Sequence, residues 1–341
     1  MMQRPTAFLA LLALGACSHG PPPEHFNGHT MGTTYSVTVA SHPRGVGRET
    51  IQSVVDEVLE KVNQSLSTYN PRSEISRFNA SATTDPVVVS PRLRAVAAMA
   101  GEVSAATGGA FDITVGPLVQ AWGFGVASPA PTTVPGPGDI DRLRAEVGFA
   151  KLELVADGRS LRKTVPALQL DVNGIAPGYA VDLIVERFDA LGLRDFLVEI
   201  GGEVRARGRN ARGRTWRVAV EAPLSGERKP YALVELDDLA ISTSGDYRDF
   251  REFDGVRVSH TIDPRTGAPV AHGLASVSVV HPSAALADAY STALMVLGPE
   301  AGMAFALRVG LAALFIERSA DGRGLSDRFT PEFDRLRRPL R

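Results

Sequence analysis

The chain has 341 residues, 44% of them hydrophobic, and a formal net charge of −2. That balance excludes a nucleic-acid binder held by a basic face, and the single cysteine excludes both an intramolecular disulfide and a cysteine zinc cluster. With 33 glycines and 23 prolines the composition is too rich in helix breakers for a bundle and suits a strand- and loop-rich α+β protein.

The N-terminus reads as a secretory signal. Arg4 gives a basic start, and the apolar stretch from Ala7 to Ala16 is far shorter than the roughly 20 residues that span a bilayer. Leu14-Gly15-Ala16-Cys17 resembles the lipobox of bacterial lipoproteins, which makes Cys17 the lipidation site. Several acyl chains hold stably where one holds only marginally. The alternative is an ordinary signal peptide with an incidental cysteine. The expected organisation is a signal peptide (1–16), a lipidated tether (17–29) and a domain over 30–335.

Alternating β-branched residues predict a strand over 31–40. Apolar residues at 51, 54, 55, 58, 59, 62 and 66 predict an amphipathic helix from Arg48 to Leu66. The polar run LSTYNPRSEISRFN reads as a loop able to wrap a ligand. Ser90-Pro91 opens a helix that Gly108-Gly109 stops. Residues 126–138 read as an exposed Pro/Gly loop, followed by a short helix (139–147) and strands near 151–156 and 161–165. Leu168, Leu170 and Val172 alternate, which predicts a strand over 167–172. A helix from Tyr179 to Leu191 and a strand over 196–200 follow. Further strands are expected at 204–209, 215–221 and 231–241, then a hairpin turning at Asp254-Gly255. The chain closes with a strand (275–280), helices over 284–297 and 300–309 divided by Gly298-Pro299, and a strand (312–317).

Four stretches can carry chemistry. On the helix over 284–297, Asp288 and Thr292 lie four residues apart and share a face. A carboxylate beside a hydroxyl is a pair of hard oxygen ligands suited to Mg²⁺; an acid favoured by the helix dipole beside a β-branched packer is the alternative. The stretch from Asp171 to Tyr179 opens a strand end through Gly174 and Gly178 into a helix, a turn that admits a phosphate or an ion, or simply a tight connection. His260, within Ser259 to Gly267, is a candidate general base, imidazole being the side-chain type that exchanges protons near neutrality; a strand histidine with a satisfied hydrogen bond is the alternative. Glycines and aromatics in 108–117 and 122–125 can form a slot for a flat ring, or a packed loop.

In this order the runs MGTTYSV, LSTYNPRSEISRFN, TGGAFDITVGPLVQAWGFG, LQLDVNGIAPGYAVD, VEIGGEVRARG, STSGDYR, SHTIDPRTGAPV and HPSAALADAYSTALMVLG resemble the ApbE family of FAD:protein FMN transferases. The resemblance runs from about Met31 to about Phe315. It implies a fold of mixed, largely antiparallel sheets flanked by helices. It implies Mg²⁺ held by Asp288, Thr292 and the backbone carbonyl of Gly174. It places Met31, Tyr69, Ala110, Phe111, Asp112, Asp171, Pro177 and Ile262 where the family contacts FAD, and it assigns catalysis to His260, with Asp288 assisting. FAD is the implied substrate, and redox proteins that receive FMN on a Thr or Ser hydroxyl are the implied partners. A lipid anchor facing the periplasm from the bacterial cell envelope fits membrane acceptors of this kind. One position departs from the family, which usually has a polar residue where this chain has Pro177. Proline supplies neither a charge nor an N–H there. An FAD pyrophosphatase and a non-enzymatic flavin-binding lipoprotein are the competing readings.

Overall fold

The alternating run Thr33–Ser41 forms a strand that buries Tyr35, Val37 and Val39 on one face. Glu24–Thr30 pairs antiparallel with it through the two-residue turn Met31-Gly32. Residues 24–29, expected as tether, are therefore part of the sheet. Polar residues dominate this edge strand, and only Phe26 and Thr30 are buried, so its period-two signal is faint. The computed structural model describes residues 22–125, 133–224, 229–247, 250–253, 256–319 and 324–340. Cys17, the expected signal segment, most of the loop over 126–138 and the turn Asp254-Gly255 lie outside the described residues.

The main sheet has eight strands in the order Glu24–Thr30, Thr33–Ser41, Asp195–Ile200, Glu203–Arg207, Ala240–Gly245, Leu274–His281, Ala312–Arg318 and Leu325–Phe329. All of its pairings are antiparallel. Alternate residues of Ala312–Arg318 serve opposite faces. Ala313 and Phe315 pack toward the helices with Leu294 and Met295. Leu314 and Ile316 pack against Val234, Leu236 and Phe333 of a smaller layer. The sheet is thus buried on both faces, giving the α+β class expected from composition.

Eight helices occur among the described residues: α1 (Arg48–Leu66), α2 (Glu74–Ala80), α3 (Pro91–Ala106), α4 (Gly116–Ala121), α5 (Pro137–Arg144), α6 (Ala176–Ala190), α7 (Ala284–Val309) and α8 (Pro331–Leu336). Helix α1 buries the seven apolar residues that predicted it, each stabilising by roughly 1.5–3 kcal/mol when fully buried. Helix α7 is long and apolar enough to cross a membrane by composition. It packs against α6 and the sheet, so its all-round apolarity is that of a core helix. Gly298, at φ 78°, breaks its helical geometry at the point where the sequence predicted an end.

Three expected elements differ. The end of the run expected as a wrapping loop is α2, which Ser73 caps by accepting from the Ser76 N–H at 3.1 Å. Residues 167–172 bury Leu168, Leu170 and Val172 but are not a strand. The Asn79 side chain takes the place of a neighbouring strand: its Nδ2 donates to Leu170 O, and its Oδ1 accepts from Leu170 N, both at 2.8 Å. The expected strand over 231–241 is two strands in different sheets, Pro230–Leu236 and Ala240–Gly245, divided by a turn that holds Asp238 at φ 55°.

Candidate active site

The site is built where α6 begins beside α7. Glycine at 178 lets the two helices touch: a Cβ there would fall 2.3 Å from Ala284 O and 2.9 Å from Ala285 Cα. Asp182, one turn further along α6, clamps the start of α7. Its carboxylate accepts from the N–H groups of Ala284 (2.9 Å) and Ala285 (3.0 Å) and from the Ser283 hydroxyl (2.6 Å), an anion at a helix N-terminus. Arg205 pairs with the same carboxylate.

This clamp sets the phase of α7 and carries Asp288 into the interior. Asp288 is only 4% exposed, and its Oδ2 accepts from Gly178 N at 3.2 Å. Pro177 lies in the first turn of α6, where a missing N–H is tolerated. The next N–H, that of Gly178, is the one Asp288 takes. Burial, and then the charge of Glu203, push the Asp288 carboxyl well above the usual carboxylate range against that hydrogen bond. Burial pushes Glu203 up to about 7. Two buried acids thus lie near enough for the charge of Glu203 to act on Asp288.

Thr292 stands one turn beyond Asp288, as the spacing predicted. Gly174 meets it: a Cβ on Gly174 would lie 2.9 Å from Thr292 Oγ1 and 3.3 Å from Phe111 Cε2. A side chain at 174 would fill this space, so glycine keeps it open. The structure therefore brings together Gly174, Thr292 and Phe111, with Asp288 one helical turn before Thr292. A carboxylate, a hydroxyl and an open stretch of backbone are the donors that hard divalent cations take, and a cation there would favour the ionised Asp288 that burial and Glu203 disfavour.

A cleft of about 520 Å³ lies on the other side of Asn173 in the chain. Thr68, Tyr69, Ser76, Asn79, Gln120, Gln169, Asp171 and Asn173 line it, and the chain passes from Asn173 directly into Gly174. Its size is that of a small-molecule site. Tyr69 is exposed at its rim. Asp171 accepts from Asn173 N at 2.9 Å, and burial raises its carboxyl above the ordinary value. The wall rests on Lys163, which is 1% exposed and donates to the carbonyls of Pro166 and Leu168 at 3.2 Å.

Other predicted residues take different places. Both carboxylate oxygens of Asp112 serve backbone: Oδ1 accepts from Thr114 N (2.8 Å) and Oδ2 from Phe149 N (2.7 Å). Asp112 therefore knots the turn that carries Ala110 and Phe111, both buried. Ile262 is packed with Leu118, Trp122 and Val147 in a side cluster. His260 stands one residue beyond the strand Val256–Ser259 rather than on it. Its ring meets Phe124 edge-on at 6.2 Å, beside Gly125 of the cleft wall. Met31 sits at φ 48° in the hairpin turn, a conformation costing a non-glycine residue about 1–2 kcal/mol.

Sequence reasoning missed Glu203, Ser244 and Ser291. Gly201-Gly202-Glu203 is a turn followed by an acid on a strand's inward face, and that buried position is the signal it carried.

Fold and site together define an α+β protein with a small-molecule-sized cleft and, next to it in the chain, an acidic junction between two helices. The chain belongs to the ApbE family, whose model matches residues 31–315. It is 40% identical over 316 residues to FAD:protein FMN transferase of Vibrio cholerae serotype O1, covering 93% of this chain and 94% of that protein. Its structure resembles the flavin transferase ApbE from Vibrio cholerae with a TM-score of 0.84 and 39% identity, over 92% of this chain and 100% of that one. It resembles the apo form of Pseudomonas stutzeri flavinyl transferase ApbE equally, with a TM-score of 0.84 and 44% identity, over 92% and 96% of the two chains.

Proposed function

We propose that this chain is a Mg²⁺-dependent FAD:protein FMN transferase that moves FMN from FAD onto a Thr or Ser hydroxyl of an acceptor redox protein and releases AMP. The observation that carries this reading is the approach of Gly174 to Thr292, one turn beyond Asp288, next in the chain to the cleft residue Asn173. The names of the relatives support the flavin and the transfer.

Asp288, Thr292 and the Gly174 carbonyl would hold a Mg²⁺ ion, which would supply positive charge against the pyrophosphate. The acceptor hydroxyl oxygen bonds to the FMN phosphorus, the phosphoanhydride P–O bond breaks, and AMP leaves with the bonding pair. His260 takes the hydroxyl proton, and Asp288 assists. Tyr69, Asp171 and the turn at Ala110–Phe111 bind the nucleotide, with Met31 and the backbone about Pro177 and Ile262 completing the contacts. The expected result with FAD, Mg²⁺ and an acceptor domain is a band of flavin fluorescence on the acceptor in a denaturing gel. Free FMN and AMP with no labelled band would instead make the protein a pyrophosphatase.

The anchor belongs to the same proposal. The position of Cys17 after Leu14-Gly15-Ala16 supports lipidation and a periplasm-facing place at the cell envelope, beside membrane acceptors. Cys17→Ser is expected to move the protein from the membrane to the soluble fraction; retention in the membrane would remove Cys17 as the anchor.

A further inference from the structure

Behind Thr292 lies a chain of hydroxyl groups from two elements. Thr292 Oγ1 is 3.3 Å from Ser244 Oγ, on the strand Ala240–Gly245. Ser244 Oγ is 2.8 Å from Ser291 Oγ, and Ser291 donates to the carbonyl of Asp288 at 2.9 Å. Ser242 Oγ joins from the side, 3.3 Å from Ser291 Oγ and 3.4 Å from Glu203 Oε1.

Each hydroxyl has one proton to donate. The chain ends on a carbonyl, which only accepts. Ser291 gives its proton to that carbonyl and so accepts from Ser244. Ser244, its proton committed, accepts from Thr292. The side branch leaves this direction intact: a Ser291 proton turned to Ser242 also points away from Ser244. The Thr292 proton is thereby drawn toward the sheet, and the lone pairs of Oγ1 are left for the space beside Gly174.

A serine bonded to the carbonyl three residues back is common in helices and by itself means little. Here the bond continues through a residue of another element and ends on Thr292. Ser291 and Ser242 are fully buried, where alanine would pack without the cost of enclosing polar groups. We propose that Ser244 and Ser291 are positioning residues that fix the direction of the Thr292 hydroxyl and keep its oxygen an acceptor toward a cation held by Asp288, Thr292 and Gly174. This inference rests on the metal reading proposed above.

The test compares Ser244→Thr with Ser244→Val, which share a shape and differ by the hydroxyl. The full-length protein in detergent is titrated with Mn²⁺, read by electron paramagnetic resonance, and with Mg²⁺, read by quenching of bound FAD. Loss of an outer hydrogen-bond partner weakens metal binding about 10–100-fold. That loss is expected for Ser244→Val and Ser291→Ala, with Ser244→Thr within about threefold of the wild type. Equal cation affinity in Ser244→Val and Ser244→Thr would overturn the relay. Asp288→Asn separates the two readings: if it loses the cation while Ser244→Val keeps it, the relay falls and the metal site stands. If Asp288→Asn binds the cation like the wild type, both fall.

Discussion

Replacing Asp288 with asparagine is expected to lower Mg²⁺-dependent FMN transfer by on the order of 10³-fold, the rate equivalent of several kcal/mol of charge stabilisation. Asparagine keeps the shape and can still accept from Gly178 N, so the loss reports the charge and not a cavity. Stability without metal should move the other way. Glu203 is raised to about 7 from an ordinary 4.5, so the stability tied to its protonated form is complete below about pH 4.5 and is lost as pH rises through about 7. Asp288 is raised in the same sense by burial and by that neighbour. Removing one of two nearby acids relieves the repulsion, so the metal-free variant should lose less stability than the wild type between pH 5 and 8. Thermal melts at both pH values, together with acceptor labelling, check the pair of effects. Labelling within about tenfold of the wild type would remove Asp288 from the site.

Gly178→Ala is expected to destabilise the protein by about 2 kcal/mol and to cut kcat/KM by about 10²-fold. Helix propensity alone argues the opposite, since alanine normally stabilises a helix by roughly 0.5–1 kcal/mol over glycine. Sterics decide here. The new Cβ would lie 2.3 Å from Ala284 O and 2.6 Å from its carbonyl carbon. Both are backbone atoms, and the Asp182 clamp holds that turn by two N–H bonds. Relief requires α6 and α7 to separate, and overpacking of this kind typically costs 1–3 kcal/mol. Separation also stretches the bond from Gly178 N to Asp288 and shifts Asp288 away from Gly174. A displacement of about 1 Å at a reacting centre can cost 10²-fold in rate. A raised melting temperature with unchanged kcat/KM would show that the helices do not meet at this glycine.

The two variants also mark where the sequence was legible. Asp288 and Thr292 could be paired from a spacing of four, because a helix repeats its face at that interval and the flanking Ser283 and Gly298 bounded it. Gly178 was visible as a glycine in a turn, yet its partner backbone lies more than a hundred positions along the chain. The run over 66–79 shows the opposite failure: beyond Leu66, which closes α1, two buried apolar residues, Ile75 and Phe78, are too few for a periodicity to emerge, and the helix there depends on its Ser73 cap.

By itself, the sequence determined the long helices, the alternating strands, the α+β class and the ordered runs that resemble the ApbE family. These rest on local periods and caps, whose physics lies within one or two turns of chain. Tertiary structure alone decided that Asn79 completes the hydrogen bonds of Leu170, that Asp112 serves backbone, and that the charge of Glu203 acts on Asp288. It also decided that hydroxyls from a strand stand behind Thr292. Burial and charge proximity depend on which distant segments pack together, and no local pattern of residues encodes that.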